Sequence, residues 1–498
     1  MKLVQLNWKL VVLLSVALLF RLWNFDQIPE FRFEEGAGSL MGLRFYLGRY
    51  QPPTSSIWVF YLGLFFFCGK HYLIPRMLAV VIGTLTVLVT FALAKAAFND
   101  RVGYLSGLIL AINPAHIMIS SHMAWGQSLT PFFVILSAYF LYLGITRKFF
   151  AYAAMLMVGL AFQSHLTAFI AVLGAWGFVL YKWRIWVKYY IGMAVALLLG
   201  FINLVYASLV TNFALAKETV QVVLGHPSFS VPVNFEGYEH NFHLLLLNFF
   251  KMLTGTKAYH YETMLAKPYF YIYPIILFLS VFLCFYKRND GNKLLLTFLL
   301  SFFGFTPLFL GKIQRFPSPY GSHYIHFIFP LACIVIGFGT YQLCRYIRRL
   351  PISKPLFRNL LVGLLLGMIL IYPVWALNDV YRDAVRTNST NKPIVELLDF
   401  IAQSGDRVPI YVDRTIPYGH TLAKYIKVST SDSVEVLEVG SIEDIKHATQ
   451  KPLMFITCPK FVEERSLVDE FTKNYPSATL IKIAYSNDGD PFYLVYEF

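Results

Sequence analysis

"IPRMLAVVIGTLTVLVTFALAKAAF", Ile74 to Phe98, decides what kind of chain this is. Its charges, Arg76 and Lys95, sit near the two ends, and everything between them is uncharged. An apolar run of roughly 20 residues is what a helix needs to cross a bilayer core. Similar runs recur on both sides. Eleven windows meet the pattern: Leu6–Trp23, Tyr72–Ala97, Val102–Ser120, Ser128–Ile145, Phe149–Phe162, His165–Tyr181, Tyr189–Val210, Pro268–Tyr286, Leu294–Leu310, Tyr324–Leu343 and Asn359–Trp375. The fifth and sixth are short and abut at "FQSH", as in a helical hairpin. "WVFYLGLFFFC", Trp58 to Cys68, is too short to span and reads as an interfacial helix. The whole 498-residue chain is 57% hydrophobic and only 14% charged, against about 25% charged in soluble domains. The expectation is a polytopic α-helical membrane protein of about eleven spans.

Charge then sets direction. With the N-terminus inside, the inner loops collect seventeen Lys and Arg, from Lys2 and Lys9 to Arg345, Arg348, Arg349, Lys354 and Arg358. Only Asp100 and Asp290 stand against them. The net charge of +14 is therefore an inner-face excess, a positive-inside pattern that leaves no basic patch for nucleic acid. The first run has no small-residue cleavage site and is expected to remain as the first span. An odd span count puts the C-terminus outside. The expected layout is a multi-pass protein of the plasma (inner) membrane with a cytoplasmic N-terminus. Residues 1–376 form its membrane domain, with outer loops 25–71 and 211–267. Residues 377–498 form an extracytoplasmic α/β domain, since "PIVELLDFIAQ" and "FVEERSLVDEF" look helical while "VPIYV", "PLMFIT", "ATLIKIAY" and "FYLVYEF" look like strands. The five cysteines show no metal-ligand spacing and no disulfide framework.

Carboxylates are scarce. The first 376 residues hold ten, eight of them on the outer side: Asp26, Glu30, Glu34, Glu35, Glu218, Glu236, Glu239 and Glu262. Glu34 and Glu35 open "FRFEEGAGSLMGLRFYLGRYQPP", in which Ala37, Leu40, Met41 and Phe45 recur at helical spacing. That predicts an amphipathic helix on the membrane surface with two acids at its head, where the helix macrodipole alone would also favour them. The second outer loop, "NPAHIMISSHMAWGQSLTPFF", holds His116, His122, Trp125 and Gln127 but no acid. Its Trp and His are expected as interfacial anchors, or as the polar wall of an outer cavity. In "FEGYEHNFHLLLLNFF", Glu236 and His240 are four apart, as are Glu239 and His243, a spacing able to hold a divalent ion. Arg32, Arg44, Arg49, Arg76, Lys251, Lys257, Lys267, Lys312 and Arg315 also face out and suit a lipid phosphate or plain headgroups.

The order of these features resembles a known family. A first span, an outer acidic pair opening a helix, "GRYQPPTSSIWVFYLGLFF", the Ile74 run and "INPAHIMISSHMAWGQSLTPFF" follow one another as in the GT-C type integral-membrane glycosyltransferases, nearest the protein mannosyltransferase and aminoarabinose transferase (family-39-like) branch. The resemblance is sharpest over Phe31 to Leu143 and continues in "SPYGSHYIHFIFPLA", Ser318 to Ala332. It implies a glycosyltransferase, hexosyl or pentosyl, that takes a sugar from a polyprenyl phosphate at the outer face and inverts it. Glu34 would be the base and Glu35 its orienting neighbour or a cation ligand. Arg76 matches the arginine that opens the family's next span, a candidate phosphate contact. Where relatives carry arginine this chain has His122 and His323, and Gln127 replaces a second acid. These departures imply a changed grip on the donor phosphate, with Lys312 and Arg315 as further contacts. A metal, if used, would draw on Glu35, Glu239, His240 or His243. Membrane lipids and a lipid, glycan or protein acceptor are the implied partners. A lipid-linked-sugar flippase or a surface-polysaccharide ligase or polymerase remains the alternative.

Overall fold

The computed structural model describes residues 7–26, 33–47, 49, 61, 63–69, 71–210, 213, 235–258, 261–262, 271–287, 289–309, 325–351, 355–386, 391–404, 408–446, 453–460, 462–486 and 488–498. The protein is mostly helical, with one small mixed sheet at its C-terminal end.

Helices of the bundle pack closely on one another. The Ile74 run forms α3 (Ile74–Ala97), after α1 (Trp8–Leu22) and α2 (Phe33–Tyr46). Pro75 lies in its first turn, where a missing N–H costs nothing. Asn99 then caps α4 (Asp100–Ala111), accepting from the Val102 N–H. Small residues let α4 approach its neighbours: a Cβ on Gly103 would meet the Phe91 carbonyl at 3.0 Å, and one on Gly107 would meet Leu13 at 2.9 Å. On another face, a Cβ on Gly337 would meet the Ser106 backbone nitrogen at 3.0 Å. Membrane helices lack a hydrophobic drive to associate, so such close backbone packing holds them together.

Among the described residues five helices are long and apolar enough to span, or seven if each of two bent pairs counts as one span. That is fewer than the eleven expected windows, for identifiable reasons. The Val102–Ser120 window breaks into α4 and α5 (Pro114–Ser120), bent by 66°. The first, fifth and eighth windows yield short helices: α1, then α7 (Phe149–Ser164) after α6 (Thr130–Gly144), and later α12 (Ile272–Tyr286). The sixth forms α8 (Phe169–Tyr181), which turns by 89° into the next segment. The seventh is interrupted at Phe201, between α9 (Tyr190–Gly200) and α10 (Ile202–Val210). The remaining elements of the membrane part are α11 (Phe235–Leu253), α13 (Asp290–Phe309), α14 (Phe329–Arg349) and α15 (Pro355–Arg386), with a two-residue ladder of β1 (Lys257–Ala258) and β2 (Tyr261–Glu262). The helix α15 runs well past Trp375, so the expected boundary at 376/377 falls inside it.

Beyond α15 come α16 (Lys392–Ser404), β3 (Ile410–Asp413), α17 (Gly419–Ser429), β4 (Val436–Val439), α18 (Ile442–Lys446), β5 (Met454–Thr457), α19 (Val468–Asn474), β6 (Thr479–Tyr485) and β7 (Pro491–Glu497). The sheet order is β4-β3-β5-β7-β6, with β3 parallel to both β4 and β5 and β7 antiparallel to β5 and β6. Asp413, buried at the end of β3, ties the layers together. One of its oxygens accepts from the Thr415 N–H and hydroxyl, the other from the Thr457 hydroxyl and the Leu467 N–H. A carboxylate so fully hydrogen-bonded serves the fold, not a ligand. The four expected strands and the first helix form. "FVEERSLVDEF" is helical only from Val468.

Candidate active site

The acidic pair lies where the sequence puts it: Glu34 and Glu35 are in the first turn of α2. Their side chains are outside the described residues, as are Lys312, Arg315 and His323 altogether. What the structure adds is how firmly the segment around them is held. Arg76 is fully buried and donates from Nη1 to the Phe25 carbonyl at 2.8 Å. The Tyr381 hydroxyl on α15 donates to the Trp23 carbonyl at 3.1 Å. Asn391 Nδ2 donates to the Asp26 carbonyl at 3.0 Å. The backbone at Trp23, Phe25 and Asp26, eight to eleven positions before Glu34, is thus held at three carbonyls.

Downstream, the apolar side of α2 has a protein partner. It packs against α17, and Leu40 and Leu43 are buried. Arg44 makes a two-pronged pair with Asp432, Nε to Oδ2 at 2.9 Å and Nη2 to Oδ1 at 3.3 Å. Arg49 Nη1 reaches the Asp432 carbonyl at 3.3 Å. Asp432 has φ 53°, a left-handed conformation that Asp tolerates better than most side chains. Farther along, the Tyr72 hydroxyl donates to Asp399 on α16 at 3.0 Å. Arg44 and Arg49, candidates for headgroup contact, therefore serve to seat the C-terminal domain on the first loop.

The second loop forms a buried wall. Asn113 breaks the span: its Oδ1 accepts from the His116 N–H at 2.8 Å, while its Nδ2 donates to the carbonyls of Met252 and Leu253 at 3.3 and 3.0 Å. One amide side chain thereby caps the start of α5 and the end of α11. All of α5 is buried. Trp125 is buried too, its Nε1 donating to the Ile119 carbonyl at 3.2 Å. The expectation of interfacial anchors here is corrected, because the loop folds back into the bundle, where Trp125 and Ser128 donate to its own carbonyls while His116 Nε2, Ser121 Oγ and Gln127 Oε1 are buried without a partner among the described residues. His122 is buried with its ring parallel to that of Tyr381. The Gln127 carbonyl meets His326 Nε2 at 3.2 Å, joining this loop to the late segment before α14. His326 stands within electrostatic reach of both His116 and His165. Arg76, His122 and Gln127 are all part of this compact region; Glu239 and His243 are not. Those two form an exposed pair on α11, 3.9 Å apart, with His240 also exposed. Among the described residues no three His, Cys, Asp or Glu side chains gather as a metal site.

Sequence reasoning overlooked Arg21. It is fully buried near the end of α1 and donates from Nη1 to the carbonyls of Ala17 and Ala111, at 3.0 and 3.2 Å. Ala111 is the last residue before the break, so Arg21 satisfies a carbonyl that the bend frees. Its Nε and Nη2 have no acceptor among the described residues. Gly83 makes room for it: a Cβ there would stand 2.9 Å from Arg21 Nε and 2.3 Å from Ser121 Oγ. The available signal was an arginine inside an apolar run, which is costly unless it is used.

Comparison with known proteins follows this geometry. Residues 51–206 match the family model described as dolichyl-phosphate-mannose-protein mannosyltransferase. No curated protein sequence matches the chain. Among solved structures, ArnT from Cupriavidus metallidurans bound to undecaprenyl phosphate superposes with a TM-score of 0.64, over 98% of this chain and 97% of that one, at 12% identity. The same protein in its apo state gives 0.61 at 14% identity, with the same coverage of both chains. The oligosaccharyltransferase AglB from Archaeoglobus fulgidus, in complex with an inhibitory peptide and a dolichol-phosphate, gives 0.52 at 10% identity, covering 85% of this chain and 64% of that one. The chain shares the fold of ArnT and, over residues 51–206, matches the mannosyltransferase family model.

Proposed function

We propose that this protein is a membrane glycosyltransferase that moves a hexosyl or pentosyl group from a polyprenyl-phosphate donor to an acceptor hydroxyl at the outer face of the plasma membrane. The observation that carries the reading is the acidic pair at the head of α2, a helix packed against α17 and preceded by a backbone held at residues 23–26 by Arg76, Tyr381 and Asn391. A ArnT-like fold supports it, since that protein binds undecaprenyl phosphate.

Glu34 is the base. It takes the acceptor proton as the oxygen attacks the anomeric carbon, and the phosphate leaves with the bonding electrons. Attack opposite the leaving group inverts the sugar. A phosphate leaves without an acid, so one positioned carboxylate suffices. Glu35 orients Glu34 or contributes to holding a divalent cation. Arg76, His122 and the Gln127 loop line the donor phosphate's place, with Lys312, Arg315 and His323 completing it.

The test is turnover by the purified full chain with a panel of polyprenyl-phosphate sugars, reading the anomeric configuration of the product. Glu34→Gln is expected to lower turnover by about 10²- to 10⁴-fold, the usual worth of a general base. Turnover that survives this substitution sinks the assignment. Lipid translocation without sugar transfer would establish the flippase reading instead.

A further inference from the structure

The end of the bundle away from the C-terminal domain holds a second feature that sugar transfer does not use. A cleft of about 580 Å³ opens there between α1, α4, α14 and α15. Its rim carries Lys9, Arg101, Arg345, Arg348 and Arg349, and its walls are apolar, with Leu105, Leu108, Val362, Leu366 and Leu370 among them. On the far side of α14 a second apolar cleft, about 480 Å³, shares Arg345 and Arg349 and adds Lys287. Among the described residues no carboxylate lines either cleft. The nearby Asp100 is engaged by Lys95 at 3.1 Å.

Basic residues at this end follow from the positive-inside pattern, and those ending α14 also suit its dipole. Neither reason explains why cations from three helices converge on one concave, apolar-walled cleft. We infer that this cleft is a binding site for an anionic phospholipid, its phosphate among Arg101, Arg348 and Lys9 and its acyl chains along Leu105, Leu366 and Leu370. The charge and the shape each match one part of such a lipid: a phosphate meets bidentate guanidinium groups, while hydrocarbon fills the gap between helices. Bound there, the lipid bridges α14 to α1 and α15.

The experiment uses the full chain in a neutral detergent, adding phosphatidylglycerol, phosphatidylcholine or inorganic phosphate at equal phosphate concentration. Thermal unfolding and native mass spectrometry are the readouts. Phosphatidylglycerol is expected to raise the midpoint and to remain bound; the other two are expected to do neither. Arg101→Gln with Arg348→Gln should weaken phosphatidylglycerol binding about thirtyfold, from the usual worth of two cations near a lipid phosphate. Arg147→Gln with Arg184→Gln removes equal charge from exposed positions outside the cleft and should change it less than about threefold. Leu366→Trp keeps the cations and fills the acyl seat, and should also displace the lipid. Equal losses in the two arginine pairs would reduce the effect to general attraction and overturn the site. So would stabilisation by inorganic phosphate as large as that by the lipid, or undiminished binding to Leu366→Trp.

Discussion

Single side chains do much of the positioning here, and most of them act on backbone. Asn113 is the clearest case, capping one helix and closing the end of another. Asn113→Ala removes the cap and leaves two buried carbonyls without their donor. A loss of about 1–3 kcal/mol is expected in denaturant unfolding, larger than a helix cap alone is worth. Gly83→Ala tests the opposite case, a group too many. The new methyl would press on Ser121 Oγ and on the Ser120 carbonyl at 3.0 Å. The hydroxyl can turn aside but the carbonyl cannot, so about 1–3 kcal/mol of overpacking is expected, with loss of turnover as the Ser121–His122 turn shifts. The sequence made Glu34 and Glu35 legible because acids are so few beside long apolar runs. It showed Arg21 as a charge in an apolar run but not its partners: Ala17 is one turn back on the same helix, and the Ala111 carbonyl is freed only by the bend at Asn113.

Helix pairs show a different balance between pattern and packing. The run behind α2 was readable, but its burial was not, since the same apolar stripe suits a bilayer surface or another helix. The deciding partner, α17, was missed: "GHTLAKYIKVS" mixes lysines into a stripe whose buried members are Leu422, Ala423, Tyr425, Ile426 and Val428. The strand β4 was missed too, although "VLEV" is short and edges the sheet. Asp432→Asn keeps the left-handed backbone and removes the charge that Arg44 grips. Stability should fall by less than about 1 kcal/mol, because the pair is partly solvated. Turnover should fall about tenfold as α2 loosens, a geometric effect separable from unfolding by the melting midpoint. In the membrane, α7 and α9 touch at Gly159 and Gly200, where a Cβ on Gly200 would stand 2.5 Å from the Leu156 carbonyl and 2.8 Å from the Gly159 Cα. Both obstacles are backbone, so Gly200→Ala should drive the helices apart and destabilise the protein more than Gly177→Ala, a site with open space beside it.

Across the entire chain, the contacts between residues 23–49 and 381–432 place the first loop and the C-terminal domain on one side of the bundle. Lys9, Arg101 and Arg345 gather at the opposite end. Charge counting anticipated this separation, because a positive-inside bias accumulates over many loops and survives errors in any one span. The number of spans was less legible: a bend at Asn113 and a break at Phe201 divide windows that hydropathy reads as continuous. Sidedness has a direct check. In a Cys68→Ser background, a cysteine placed at exposed Ser433 should react with an impermeant maleimide in intact cells, whereas one placed at exposed Arg184 should react only after the membrane is opened. The reverse result would invert the orientation and move the acidic pair to the cytoplasm.

The long reach between the two halves of the clamp also sets a clock. Asp26 and Asn391 are 365 positions apart, and Arg44 and Asp432 are 388 apart. At about 5–20 residues per second, a ribosome needs roughly 20–80 s to pass from one half to the other. Throughout that interval the newborn first loop waits without its seat, and a chain released early never acquires one. If the protein transfers sugar as proposed, competence would arrive only once residues 391–432 are made, and copies lacking them would occupy the membrane without consuming donor.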